Sequence, residues 1–275
     1  MAPSVEPTAL LSHLHRTDGS ATFSQNGYTV IGAVNGPLEI QRRDELPEEA
    51  AIDVVVRPAA GVGGLKLSSR YICLVAAILT ELVLGTRERH LESILQSTLR
   101  QIILIHNFPR TLIQITLQIT STPENDTAGS KLTQASSNLP ILPTLLQTAV
   151  LALLSASLPL SMTLTSTFLA LTSDSSSKRI VVNPTLLESE AASSVHVMAF
   201  TSNGDLLVAE SEGDFTLKEW EAVHDAAKSF CCDESQTSGA RHVAQDEMDE
   251  KNGNMMMFVQ STLEDKVESD LQWKE

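Results

Sequence analysis

The sequence predicts a mixed α/β fold (an α+β arrangement), with strands interleaved with two or three packing helices, and three observations carry it. Runs of alternating apolar residues recur along the chain, of which Thr111 to Thr120 (TLIQITLQIT) is the clearest. Two stretches show helical spacing instead, Arg87 to Ile105 and Phe215 to Phe230. Asn26-Gly27 and Asn203-Gly204 interrupt strand-like runs as hairpin turns do. The 275 residues suffice for one large domain or two small ones, and a hydrophobic content of 42% excludes disorder throughout. With aromatics at 4%, the core rests on Leu, Ile, Val and Ala.

Taken in order, Thr22 to Val34 reads as two short strands around Asn26-Gly27. Ala51 to Arg57 (AIDVVVR) is a further strand, stopped by Pro58 and followed by the glycines of Gly61 to Gly64, a turn after a strand. From Arg87 to Ile105 a stripe of Leu91, Ile94, Leu95, Leu99, Ile102 and Ile103 faces one way, and Asn107 and Pro109 end the helix. The alternating strand Thr111 to Thr120 follows, then a polar loop, Ser121 to Ser137, and a buried helix, Thr144 to Ser157. Strands are expected at Met162 to Leu171, Ile180 to Val182, Ser194 to Phe200 and Leu206 to Ala209. Phe215 to Phe230 is amphipathic, with Thr216 as N-cap and Glu219 three residues on. Cys231 to Asn254 is polar and acidic, a disordered insertion or linker, and Met255 to Trp273 is a last helix exposing much acidity.

The charge is uneven. The first 200 residues carry 16 acidic and 13 basic side chains, whereas the remainder carries 18 acidic and 6 basic. A formal charge of −15 argues against a free-standing nucleic-acid binder held by phosphate neutralisation, while leaving room for one local basic strip. Between Lys131 and Asp174 lie 42 uncharged residues, enough for a membrane span. Pro140, Pro143 and Pro159, frequent Ser, Thr, Gln and Asn, and a change of period favour a core helix followed by a central strand. The apolar run Tyr71 to Leu79 is too short to cross a bilayer. Cys73, Cys231 and Cys232 offer no disulfide framework, which fits a reducing compartment, and Met1 to Leu11 has no secretory pattern.

No G-x-G-x-x-G, P-loop, H-E-x-x-H or serine-elbow signature is present, so no cofactor is expected. His13 and His15 are a weak metal pair near the start. Glu188 and Glu190 would share a face on a strand and hold Mg²⁺, or else belong to a solvated turn. Arg87-Glu88-Arg89-His90 is the one basic cluster of the body. At a helix start, its arginines and free backbone N–H groups would hold phosphate oxygens; the alternative is a solvated helix end.

From Asp18-Gly19-Ser20-Ala21 onward the chain resembles the RNase PH family. DGSA, a glycine turn and YTVIGAVNGPLE (Tyr28 to Glu39) resemble that family's opening hairpin with its GP-x-E ending. Arg42, Arg43 and Glu45 follow as its polar loop does, and AIDVVVRP (Ala51 to Pro58) resembles its third strand. Thr86-Arg87-Glu88, the helix through Leu99-Arg100, and Phe108-Pro109-Arg110 with TLIQITLQI behind it continue the pattern, the F-P-R turn and its strand being the most specific part. LQTAVLALLSASLPL (Leu146 to Leu160) resembles the Ala-rich helix that in the family ends as ALxDAGIPL. The likeness runs from about Thr17 to Phe230 in matching order. Within the family it is similar to fungal ring subunits of the RNA exosome, the short ones on the catalytic-type side, given the abrupt start before DGSA and Asn183-Pro184-Thr185 in place of a D-P-T turn.

The resemblance implies an RNase PH-like fold (ribosomal protein S5 domain 2-like), a mixed sheet packed with helices, over residues 17–230, after a short tail at 1–16 and before the acidic insertion 231–254 and a C-terminal helical segment 255–275. It also marks an anomaly: 64–84 (GLKLSSRYICLVAAILTELVL) stands where family members pass in a few residues to the T-R-E helix. It is either an unspliced in-frame intron or a genuine insertion, and an exposed apolar insertion invites aggregation.

Departures from the family decide the implied chemistry. Phosphorolytic members carry a Gly-(Thr/Ser)-Arg phosphate loop where this chain reads STPENDTAGSKLTQASSNLPILP (Ser121 to Pro143), with neither the triplet nor an arginine. Their two aspartates fall near Leu187 and Ser193 here, within a residue, and no candidate is aspartate. Phosphate lacks its clamp and the leaving 3′ oxygen its acid or metal, so the resemblance implies a pseudo-enzyme without catalytic residues. What it implies instead is a non-catalytic ring subunit of the eukaryotic exosome, supporting 3′-to-5′ RNA processing and decay by an associated nuclease. Its partners would be other RNase PH-like subunits, S1/KH-type cap subunits, that nuclease and the threaded RNA, in nucleus, nucleolus and cytoplasm. Arg87 and Arg89 are the implied contacts to RNA backbone phosphates, and Arg110 the structural arginine of the F-P-R turn. An active phosphate-dependent exoribonuclease is the alternative.

Overall fold

The computed structural model describes residues 7–40, 42, 45–59, 73–123, 139–173, 178–232 and 255–272, and for 73–87, 173 and 178 the backbone alone. The chain divides into two compact units, Met1–Ser161 and Met162–Glu275. The glycine-rich 61–64, the polar stretch 124–138, the first part of the anomalous segment (64–72) and the acidic 233–254 lie outside the described residues.

The first unit is built on a five-stranded sheet, ordered β1-β2-β3-β5-β4. Its strands are β1 (Thr8–Leu11), β2 (Gly19–Gln25), β3 (Tyr28–Glu39), β4 (Ala51–Arg57) and β5 (Thr111–Ser121). The stretch read as an N-terminal tail thus contributes β1, which pairs with β2. The Asn26-Gly27 hairpin forms as expected, because both residues take positive φ, 52° and 81°, which Asn and Gly tolerate. β4 and β5 are parallel and joined by a crossover containing α1 (Cys73–Ile102); the other pairings of this sheet are antiparallel.

Helix α1 differs from its sequence reading at both ends. It begins at Cys73, well before Arg87, and stops at Ile102. The early stop has a tertiary cause: Ile103 leaves the helix to bridge Leu160, while Leu104 N–H donates to Pro159 O (3.2 Å) and Ser161 N–H to Ile102 O (2.8 Å). Leu91, Leu95, Leu99 and Ile102 are buried as their spacing requires.

Helix α2 (Leu142–Ser155) is the centre of this unit, and every residue from Leu142 to Leu153 is buried. An uncharged helix buried on every side belongs in a core, which resolves the long uncharged stretch, and among the described residues no helix is long and apolar enough to cross a membrane. α2 packs on β2 and β3 through small residues. A Cβ on Gly19 would lie 2.3 Å from Ala156 N, and one on Gly32 would meet Thr148 Cγ2 at 2.8 Å. The DGSA motif serves this junction: Asp18 Oδ2 accepts Gly36 N–H (2.8 Å), and Ser20 N–H donates to Ser155 Oγ (3.4 Å).

The end of α2 is a Schellman motif. Leu158 N–H donates to Leu153 O (3.2 Å) and Ser157 N–H to Leu154 O (3.0 Å), with Ser157 left-handed at φ 56°. The resembling family pattern has glycine at this point, where no Cβ opposes the left-handed backbone.

The second unit is a four-stranded sheet, ordered β7-β6-β8-β9, from β6 (Leu164–Ser173), β7 (Lys178–Val182), β8 (Ser194–Thr201) and β9 (Leu206–Gly213). All its pairings are antiparallel. A short helix, α3 (Leu186–Ala191), stands where a strand or turn was read around Glu188. The amphipathic helix α4 (Leu217–Cys231) starts at the expected Thr216, whose N–H donates to Glu219 Oε2 (2.9 Å). Val223, Ala227 and Cys231 of α4 pack on Leu169, Met198 and Phe200. The last helix, α5 (Met255–Leu271), docks through Met255 and Val259 and leaves its acidic residues exposed.

Replacing Ser157 with glycine should raise stability by about 1 kcal/mol, because it removes a left-handed Cβ penalty of roughly 1–2 kcal/mol while keeping both Schellman bonds. Denaturant unfolding at fixed m-value reads this out, and an unchanged or lowered midpoint would refute the strain.

Candidate nucleic-acid interface

The basic residues singled out by sequence lie along the seam between β4 and α1. β4 is an edge strand, and α1 lays an apolar stripe beside it while supplying two polar side chains to its backbone. Glu92 Oε1 accepts Val56 N–H at 2.9 Å, and Gln96 Nε2 donates to Ile52 O at 2.9 Å. These bonds pin the register of helix against strand and occupy backbone groups that an edge otherwise offers to foreign strands. Further along α1, Arg100 pairs with Glu49, tying the helix to the loop after β3.

Arg87 and Arg89 both lie well inside α1, so their backbone N–H groups are committed to the helix. The expectation of an anion gripped by a helix N-terminus is therefore corrected, because the helix starts earlier than its periodicity indicated. Only guanidinium groups remain for phosphate at this place. Arg89 is exposed, whereas the side chain of Arg87 lies outside the described part. Between them Glu88 is half-buried, its carboxyl pushed up by burial and then by the neighbouring Glu92.

The structure adds a residue that sequence reasoning missed. Arg57 ends β4, next to the Val56 that Glu92 binds, and is exposed. Glu92 lies three residues beyond Arg89, so the seam sets Arg57 about one helical turn from Arg89. Thirty-two residues separate the two in sequence, and the one visible sign was a strand ending in arginine before Pro58.

The other candidates resolve differently. Glu188 is a cap of α3: its Oε2 accepts Thr185 N–H (2.8 Å) and Thr185 Oγ1–H (2.9 Å). On a helix, Glu188 and Glu190 do not share a face, so neither the paired-strand ligand set nor the turn stands. Among the described residues no group of three His, Cys, Asp or Glu is arranged to hold a metal ion. His13 Nε2 lies 3.1 Å from Thr22 Oγ1 in a local bond. Arg110 is structural as expected, with φ 60°, its N–H donating to Leu46 O (3.1 Å) and its Nε 3.3 Å from Glu45 Oε1.

The family resemblance puts its two aspartates near Leu187 and Ser193. Leu187 is largely exposed on α3. Ser193 donates both its N–H (2.9 Å) and its hydroxyl (2.8 Å) to Leu171 O. Of the interval Ser121 to Pro143, the part 124–138 lies outside the described residues.

Comparisons with known proteins agree with this architecture. The model of the 3′ exoribonuclease family, domain 1 (RNase PH), matches residues 8–172. Over 239 residues the chain is 30% identical to the exosome complex component RRP46 of Saccharomyces cerevisiae, covering 85% of this chain and 92% of that protein. Among solved structures, rice (Oryza sativa) Rrp46 superimposes with a TM-score of 0.61 at 23% identity, over 82% of this chain and 89% of that one. A chain of the Archaeoglobus fulgidus exosome with RNA bound to the active site superimposes with a TM-score of 0.56 at 12% identity, over 82% and 84%. These last two likenesses show the RNase PH-like fold. With most of its length matched in sequence and in fold, the chain belongs to the RNase PH, or 3′ exoribonuclease, family.

Proposed function

We propose that this chain is a structural, catalytically inactive RNase PH-like ring subunit of the eukaryotic RNA exosome. The observation that carries the reading is the likeness to the yeast exosome component over nearly the whole of both chains. In this role it supports 3′-to-5′ RNA processing and degradation, including ribosomal RNA maturation and decay of messenger and non-coding RNA, by an associated nuclease. Its neighbours are other RNase PH-like subunits in a hetero-hexameric ring, S1/KH-type caps and that nuclease, in nucleus, nucleolus and cytoplasm. The RNase PH-like domain, read from sequence as 17–230, also takes in β1 at Thr8–Leu11, and the acidic 231–254 and 255–275 lie outside the RNA path.

Inactivity is supported by what the sequence puts at the reacting positions. Between Ser121 and Pro143 there is no Gly-(Thr/Ser)-Arg triplet and no arginine, so the guanidinium fork that clamps phosphate in active members is missing. Leu187 and Ser193 can neither bind a metal ion strongly nor protonate a leaving oxygen. The competing reading, an active phosphate-dependent exoribonuclease, is favoured only by the family's own activity. Arg87, Arg89 and Arg57 hold the RNA backbone as point charges and forks, with no base specificity.

Purified from its native cell with a tag, the protein should bring a stoichiometric set of RNase PH-like, cap and nuclease partners, and a monomer would sink the ring assignment. The isolated chain should release no nucleoside diphosphates from RNA in phosphate; their release would establish the competing reading. In the assembled complex, replacing Arg57 and Arg89 with alanine should flatten the slope of log affinity for single-stranded RNA against log salt by roughly 0.7 per lost phosphate contact. An unchanged slope would place these arginines off the RNA path. For 64–84, transcripts lacking these codons would support a retained intron, and uniform inclusion would establish an insertion.

A further inference from the structure

His196 is a buried titratable group that the proposed function does not use. It sits on β8, with no solvent exposure. Its Nε2 lies 2.9 Å from Ser194 Oγ on the same strand, and its Nδ1 lies 2.8 Å from Ser211 Oγ on β9. The ring of Phe215, on the segment leading into α4, meets the imidazole edge-on with centroids 4.8 Å apart. One ring therefore joins a central strand, an edge strand and the start of a helix.

We infer that His196 is an acid-sensitive latch, whose protonation loosens the edge strand β9 and the Phe215 segment from β8. The neutral ring donates from one nitrogen and accepts at the other, and two serine hydroxyls suit either tautomer. Both serine oxygens can also accept from an imidazolium, so the penalty of protonation is the buried charge itself. Among the described residues, the groups that meet the ring, Ser194, Ser211 and Phe215, carry no charge. From β6 the register partner is Leu169, from β9 it is Ser211, and from the pre-α4 segment the facing ring is Phe215. Glu210 and Glu212 flank Ser211 and so point to the other face of the strand. Asp214, next to Phe215, is exposed, and Glu219 is held by Thr216 N–H. From α4, His224 meets Phe200 and Trp220 on this side of the sheet, and Cys231 is buried at the helix end.

Burial accordingly lowers the His196 pKa from its ordinary 6.5. A lowered folded-state value contributes stability that is present above the unfolded pKa and is lost as pH falls through 6.5 toward the folded value. Since opening takes up one proton, the opening equilibrium of β9 rises by at most about tenfold per pH unit in this range.

Hydrogen exchange of the full-length protein between pH 7.5 and 5, corrected for intrinsic rates, tests this. Peptides covering 206–216 should gain openness steeply below pH 6.5 while α2 peptides stay protected, and His196→Gln, a neutral side chain of similar reach, should abolish the pH dependence. Should that variant not fold, the imidazole signals of the wild-type ring decide. A ring that protonates below 6.5 together with the opening supports the latch; one that protonates at 6.5 or above, or β9 exchange indifferent to pH, overturns it.

Discussion

The first unit depends on one constraint, the burial of α2 against β2 and β3. Leu145, Leu146, Leu151 and Leu153 are completely shielded, and each such side chain is worth roughly 1.5–3 kcal/mol of transfer from water. That gain requires close approach, and close approach requires glycine at Gly19 and Gly32, where a single Cβ would strike α2. The DGSA motif is therefore a packing device, in which Gly19 admits the helix while Asp18 and Ser20 bind the backbone and the side chain at its edges. The helix carries no charge to steer it, so its position is set by close packing and by the hydrogen bonds of Ser155 at its end.

Around that core the seam of β4 and α1 is held by different physics. Here polar side chains of the helix reach a strand edge, Glu92 to an N–H and Gln96 to a carbonyl, and the arginines follow from the register these bonds set. Buried or half-buried hydrogen bonds of this kind contribute about 1 kcal/mol each, and leaving one unmade costs more than making it gains.

Much of the architecture was legible residue by residue. Strand alternation in TLIQITLQIT, the Asn26-Gly27 turn and the Thr216 to Glu219 capping pair are local signals, each decided by interactions within a few residues, and each stands in the structure. The misreadings have different causes. Helix α1 ends at Ile102 because Ile103 finds Leu160 some sixty residues away, and periodicity cannot weigh a distant partner against one more helical turn. Helix α3 forms where a turn was read because Thr185 and Glu188 close a capping box, a local signal of the same kind as Thr216 and Glu219 that the short apolar content of the segment hid.

By itself the sequence determined the fold class, the strands from Thr22 onward with the Asn26-Gly27 hairpin, and the buried character of 144–153. Those properties follow from side-chain period, turn chemistry and residue identity, all of which are written locally. Tertiary structure alone decided that Arg57 ends the strand whose edge Glu92 of α1 binds, that Ile103 leaves α1 for Leu160, and that His196 is enclosed between two serines and Phe215. Each of those depends on which strands lie side by side or on which backbone groups were left to satisfy, and neither is fixed until the chain has closed on its core.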